Sequence, residues 1–199
     1  ILSSGLSKWC GAGGWRLGTF TFPRDLDWLM ESMAAVASET YTSVSAPIQF
    51  AAVHAFRGGV AIERYLWHAR RILSTLGNQC HRILTDAAVR IHPPEGAFYM
   101  FLDFTPLAEK LARRGIRDSV TLCERVLQEA GVAILPGTAF ERPETELTAR
   151  MAYVNFNGAN ALAASETIPL HQPLTEEFIR CNCLETITAA QRIADWASK

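Results

Sequence analysis

The stretch Ser4-Gly5-Leu6-Ser7-Lys8-Trp9-Cys10-Gly11-Ala12-Gly13-Gly14-Trp15-Arg16-Leu17-Gly18 decides how this chain is read. One lysine, Lys8, follows a run rich in small residues, and one arginine, Arg16, follows eight positions later. Gly11, Gly13, Gly14 and Gly18 lie in or just after that interval. Glycine tolerates positive φ and lets other groups come close to the main chain. A glycine-rich surface loop carrying one solvated lysine has the same look, and a lone glycine-rich match carries little weight.

The number of fixed positions separates these alternatives. Gly5, Ser7, Lys8, Gly11, Ala12, Gly14, Arg16, Leu17 and Gly18 together resemble the lysine signature of the class I/II aminotransferases, fold-type-I enzymes that use pyridoxal 5′-phosphate (PLP). The resemblance implies that Lys8 attaches the cofactor covalently and is catalytic. It implies that Arg16 grips the cofactor phosphate, to which the Ser7 hydroxyl can add a hydrogen bond. The residue types suit these roles. An amine condenses with an aldehyde only when unprotonated, so a lysine in this role is expected in a partly buried site. A guanidinium fork meets phosphate oxygens better than a point charge does. Many relatives carry a phosphate-binding serine three residues before the lysine. Gly5 stands there in this chain, with Ser4 one place earlier, so Ser7 or Ser4 is the candidate replacement.

Composition is compatible with a globular protein: 199 residues, 49% apolar, 20% charged, net charge −1. That balance offers no electrostatic attraction for nucleic acid or an anionic membrane surface. No apolar run approaches the roughly 20 residues needed to span a bilayer. The five cysteines, Cys10, Cys80, Cys123, Cys181 and Cys183, are odd in number and lack the spacing of a zinc site. They read as reduced thiols of a cytoplasmic protein. The histidines are scattered, and no metal is expected. The chain opens on Ile1 with no signal-peptide pattern, so it is expected to start inside something larger or to have been cleaved, and the resemblance implies the C-terminal portion of an aminotransferase.

Working outward, residues 1–4 read as the end of a strand and 15–22 as a strand by alternation. Asp25 is expected to cap a helix to about residue 38, with Leu26, Leu29, Met30, Met33, Ala34 and Ala37 on its apolar face. A second helix begins near Pro47, and a long one covers about 60–84. Arg64, Arg70, Arg71 and Arg82 are expected on its solvated faces. Short strands are expected at 89–92, 97–104, 132–135 and 148–155, the second buried. Helices are expected at 105–113, at 118–130 with Gly131 as the stop, and from Thr175 onward.

The family resemblance extends through this part. Pro94-Glu95-Gly96-Ala97-Phe98-Tyr99 resembles its Gly-x-Phe-Tyr segment, and Leu135-Pro136-Gly137-Thr138-Ala139-Phe140 its Pro-Gly-x-x-Phe turn. Arg150 falls where the family places the arginine that binds the substrate α-carboxylate. On its own chemistry, a cation entering an apolar strand needs an anionic partner, and Glu144 or Glu146 would serve as well. The implied fold is α/β and PLP-transferase-like. Residues 1–55 would end the large PLP-binding domain, 56–85 would form a linking helix, and 86–199 an α+β small domain. The implied function is transfer of an amino group between an amino acid and a 2-oxo acid by a cytoplasmic homodimer. A PLP-dependent lyase or decarboxylase, the effector domain of an aminotransferase-like transcription regulator, and an inert fragment are the alternatives. Residues 38–49 contain no arginine, so no preference for aspartate is inferred.

Overall fold

The computed structural model describes residues 1–199 and divides into two units, Ile1–Leu66 and Trp67–Lys199. In the first, strand β1 (Leu2–Gly5) pairs antiparallel with β2 (Gly18–Thr21), Leu2 facing Thr21 and Gly5 facing Gly18. The strand expected over 15–22 is cut to this shorter piece. Trp15 lies in a 3-10 turn, Gly13–Trp15, and Arg16 after it is left-handed, with φ 55° and ψ 42°.

Helix α1 spans Asp27–Thr40 and α2 spans Ala46–Arg57. Pro47 sits in the first turn of α2, where its missing N–H costs nothing. Two expectations for α1 fail. Asp25 lies in a preceding 3-10 turn and does not cap the helix. The apolar face is present by spacing, yet no residue of α1 is buried. Periodicity creates a face, and burial needs a second surface that this chain does not place against it. The buried apolar residues of this unit are Leu6, Leu17 and Ala52, with Trp9, Val44 and Ile48 among those packed on them.

Helix α3 (Val60–Asp86) runs across the division. Beyond Trp67 its residues Ile72, Leu76, Cys80 and Leu84 recur at four-residue spacing, and all are buried. Strands β3 (Tyr99–Asp103), β4 (Leu135–Pro136) and β5 (Thr148–Ala152) form an antiparallel sheet in the order β3-β5-β4. The alternation of β3 and β5 turns Met100, Leu102, Ala149 and Met151 into the core. Phe101 and Arg150 face each other in the register and share the opposite face. Strand β3 is therefore buried on one side only. The segment 89–92 contributes a single bridge, Arg90 to Asp103, rather than a strand.

Helices α4 (Ala108–Arg113) and α5 (Ser119–Ala130) follow β3, and α5 ends at left-handed Gly131 as the sequence suggests. Asp118 caps α5, its carboxylate accepting from the Thr121 N–H at 2.7 Å. Helix α6 (Gly158–Glu166), capped by Asn157, is absent from the sequence reading. The final helix is two: α7 (Glu176–Asn182), capped by Thr175, and α8 (Leu184–Ser198). Trp196 of α8 is buried edge-on to Phe104, and its indole N–H donates to Glu129 at 2.8 Å.

Arg71 corrects the reading of the α3 arginines as solvated. It is half-buried and donates to the Ser165 hydroxyl at 2.8 Å and to the carbonyls of Ile168 at 2.9 Å and Pro169 at 3.0 Å. It also donates to the Ser165 and Gln172 carbonyls. The cation thereby ties the C-terminal end of α6 to the loop that follows it. Arg82 does lie at the surface, paired with Glu176 at 2.6 Å. No helix is long and apolar enough to cross a membrane.

Candidate active site

Ser7, Lys8 and Arg16 are brought onto one loop by the β1–β2 hairpin. The ladder is prolonged one step past the strands by the Leu6 N–H bonding to the Leu17 carbonyl at 3.2 Å. Leu6 and Leu17 are both buried, so the two ends of the loop are fixed together. Ser7 and Arg16 are the next residues out on either side, and Lys8 follows Ser7.

Within the loop, the Gly11 N–H bonds to the Lys8 carbonyl and the Ala12 N–H returns to the Leu6 carbonyl, at 3.2 and 3.1 Å. Gly11 has φ +65°, and a Cβ there would lie 3.2 Å from the Tyr65 hydroxyl. Glycine suits that point by conformation, and a side chain there would have to push the Tyr65 hydroxyl aside by a few tenths of an ångström. Gly13, Gly14 and Gly18 have no such φ; the other left-handed residue of the loop is Arg16 itself. A non-glycine residue held there carries a strain of roughly 1 kcal/mol or more. Its Nη1 donates to the Gly13 carbonyl at 3.0 Å, which fixes the side chain over the turn.

Lys8 and Arg16 are exposed and Ser7 is half-buried. The partial burial expected around Lys8 is thus not supplied by these 199 residues. The hydroxyl of Ser7 makes no hydrogen bond within the chain, and Arg16 uses only one of its donors there. Ser4 is also exposed, on β1. Tyr65, on α3, was not singled out by the sequence. Burial, and secondarily Cys10, push its phenol above the usual range. An open groove of about 520 Å³ next to this loop reaches Leu17 and Gly18 and is walled by Tyr41, Val44 and Phe56.

A primary amine, a hydroxyl and a guanidinium on one closed loop form a donor set that fits an aldehyde carrying a phosphate. The amine can form a covalent bond to the aldehyde carbon, and the other two can meet phosphate oxygens.

Arg150 stands in the other unit, on the central strand β5. It is half-buried, and its Cζ lies 4.4 Å from the ring centre of Tyr99 and 4.4 Å from that of Phe140. It forms no ion pair or hydrogen bond within the chain. The partner considered from sequence, Glu146, is instead held by Arg142 through two bonds of 2.8 and 3.0 Å. Glu144 pairs with no arginine, contributing its carbonyl to the Ser119 N–H at 3.1 Å. Tyr99 and Phe140 lie in the two motif segments already noted, but nothing local in the sequence joins them to Arg150.

A family model described as aminotransferase class I and II matches residues 1–156. An aspartate/prephenate aminotransferase of Thermus thermophilus is 31% identical over 137 residues, which cover 69% of this chain and 32% of the relative. An aspartate aminotransferase of Geobacillus stearothermophilus is 29% identical over 168 residues, covering 84% and 38%. Among solved structures, the Thermus thermophilus aspartate aminotransferase with maleate is 28% identical at a TM-score of 0.65, over 82% of this chain and 38% of that one. The aromatic aminotransferase of Pyrococcus horikoshii shares the fold, with a TM-score of 0.68 and 23% identity over 98% of this chain and 42% of its own. The chain spans a third to two-fifths of the length of the relatives it matches. With the lysine loop and the α/β fold in place, the chain belongs to the class I and II aminotransferases, a PLP-dependent family.

Proposed function

We propose that this chain supplies the cofactor-binding lysine loop and the carboxylate-binding arginine of an enzyme that transfers an amino group between an amino acid and a 2-oxo acid. The observation that carries the reading is the loop over 6–17. It holds Ser7, Lys8 and Arg16 between two buried leucines, inside a region matching the family. Residues 1–55 belong to the large domain in this reading, 56–85 form the linking helix, and 86–199 are the small domain. A homodimer in the cytoplasm is part of the same reading. Exposed apolar residues such as Trp28, Val36 and Phe50 support the first feature, and five free cysteines the second.

PLP supplies an aldehyde that takes up amino groups and a ring that withdraws electrons from the substrate. Arg16 and Ser7 would hold its phosphate, and Lys8 Nζ would anchor it and stand as the base at the substrate α-carbon. Arg150 binds the α-carboxylate and so limits how the substrate can turn.

The chain has three lysines, and Lys110 is engaged with the carbonyls at the end of α8, at 3.3 Å from that of Ala197. Lys8 alone lies in the family's lysine loop, so borohydride treatment of the PLP-loaded enzyme containing this chain should fix the pyridoxyl group on Lys8. Peptide mapping that found it on Lys110 or Lys199 would overturn the assignment.

A further inference from the structure

The environment of Arg150 assigns work to its two aromatic neighbours. A half-buried cation ordinarily requires an acid partner. Carboxylates on the same side of the sheet are already committed: Asp103 accepts from Arg90 at 3.1 Å, and Glu146 accepts from Arg142. Arg150 has rings instead, at equal distances of 4.4 Å. The π faces attract the cation electrostatically, without occupying its N–H donors. A ring face accepts no conventional hydrogen bond as a carboxylate would, so the fork geometry that suits a carboxylate stays available to a ligand.

The rings are themselves held. Phe101, directly across from Arg150 in the ladder, meets Phe140 edge-on at 5.9 Å and 81°. Tyr99 lies two residues before Phe101 and so shares its face of the sheet, within diagonal reach of Arg150. Phe140 ends the 3-10 turn Gly137–Phe140, which packs so tightly on β5 that a Cβ at Gly137 would fall 2.1 Å from the Thr148 Oγ1.

We propose that Tyr99 and Phe140 are positioning residues that hold the Arg150 guanidinium in place without a counter-ion, so that a ligand carboxylate meets a ready receptor. This rests on the reading of Arg150 as the carboxylate arginine. A bound acid would have to be displaced by substrate, whereas a ring face stays in place when the carboxylate arrives.

The test uses the PLP-loaded enzyme containing this chain, with isotope-labelled arginine for magnetic resonance and maleate as the carboxylate probe. The guanidinium signal of Arg150, assigned by its loss in Arg150→Lys, should be displaced by ring currents. Phe140→Leu and Tyr99→Leu should each move it toward the exposed-arginine position and weaken maleate about tenfold, while Tyr99→Phe preserves both. An undisplaced signal in the parent would overturn the proposal even if a leucine variant failed to fold. Leucine variants that bind maleate as the parent does, while Arg150→Lys loses it, would overturn the clamp and leave the role of Arg150 standing. Maleate binding that survives in Arg150→Lys would overturn the role of Arg150 itself.

Discussion

The two units are helical to a similar fraction and differ sharply in what those helices bury. In Trp67–Lys199, α3, α5 and α8 each contribute several fully buried side chains, among them Leu76, Leu122 and Ile193, to one continuous core. In Ile1–Leu66, α1 buries nothing and α2 buries only Ala52. Trp28, Val36, Tyr41 and Phe50 are 63%, 62%, 66% and 75% exposed. Amphipathic sequence is common to both, and a closed core belongs to one. Because stability follows apolar area removed from water, the second unit should hold itself together and the first should hold chiefly at the lysine loop.

The largest expected effect sets one position of each unit against the other. Leu76→Ala removes a fully buried side chain and should cost about 2–5 kcal/mol. Met33→Ala on α1, where the side chain is exposed, should stay within about 0.5 kcal/mol. Chemical denaturation followed by far-ultraviolet dichroism measures both. Hydrogen exchange on the same chain should show the α1 amides exchanging orders of magnitude faster than those around Leu76 and Leu84. Equal protection in the two units, or equal costs of the two substitutions, would break the contrast.

A smaller effect tests how tightly the second unit is packed at its sheet. Gly137→Ala places a methyl group 2.1 Å from the Thr148 Oγ1, and the main chain there is buried. The strain should cost about 1–3 kcal/mol. It should also disturb Phe140, visible as a change in the aromatic resonances of Phe140 and Phe101. An unchanged midpoint would mean that the turn yields more freely than its packing indicates.

The smallest effect concerns acid. The Thr121 N–H, followed by the Thr121 hydroxyl, holds the Asp118 carboxyl below the usual carboxylate range. Arg125 first, then Trp196 and Arg114, do the same for Glu129. A carboxyl with a depressed folded-state pKa contributes stability above its unfolded pKa, about 4, and loses it as pH falls through the folded value. The melting temperature of the second unit should therefore stay level from neutral pH toward about 5 and decline below about 4. Asp118→Ala should cost about 1 kcal/mol at neutral pH through the lost helix cap, and should flatten the acid decline. A decline of equal steepness in the variant would remove Asp118 from that account.

Much of the fold was legible because it depends on near neighbours in the chain. The spacing of Ile62, Leu66, Ala69, Ile72, Leu73 and Leu76 reads as one face of α3, of which Ile72 and Leu76 are buried, and Gly131 ends α5 where the backbone turns left-handed. Ser7, Lys8 and Arg16 were singled out by the resemblance of their stretch to the aminotransferase lysine signature, and the structure places them on one hairpin loop. Tertiary structure decided the rest, because it depends on what distant segments bring. Arg71 resembled a surface residue until the end of α6 and the loop after it brought it acceptors. The α1 face is legible in sequence, but whether another surface covers it is not a local property. Arg150 shows the division most clearly: its residue type and strand are written in the sequence. That it lies against the faces of two aromatic rings rather than against Glu146 follows only from the pairing of β3 with β5 and the docking of the turn at Gly137. A cation takes the partner that packing brings within reach, and sequence spacing alone does not fix that partner.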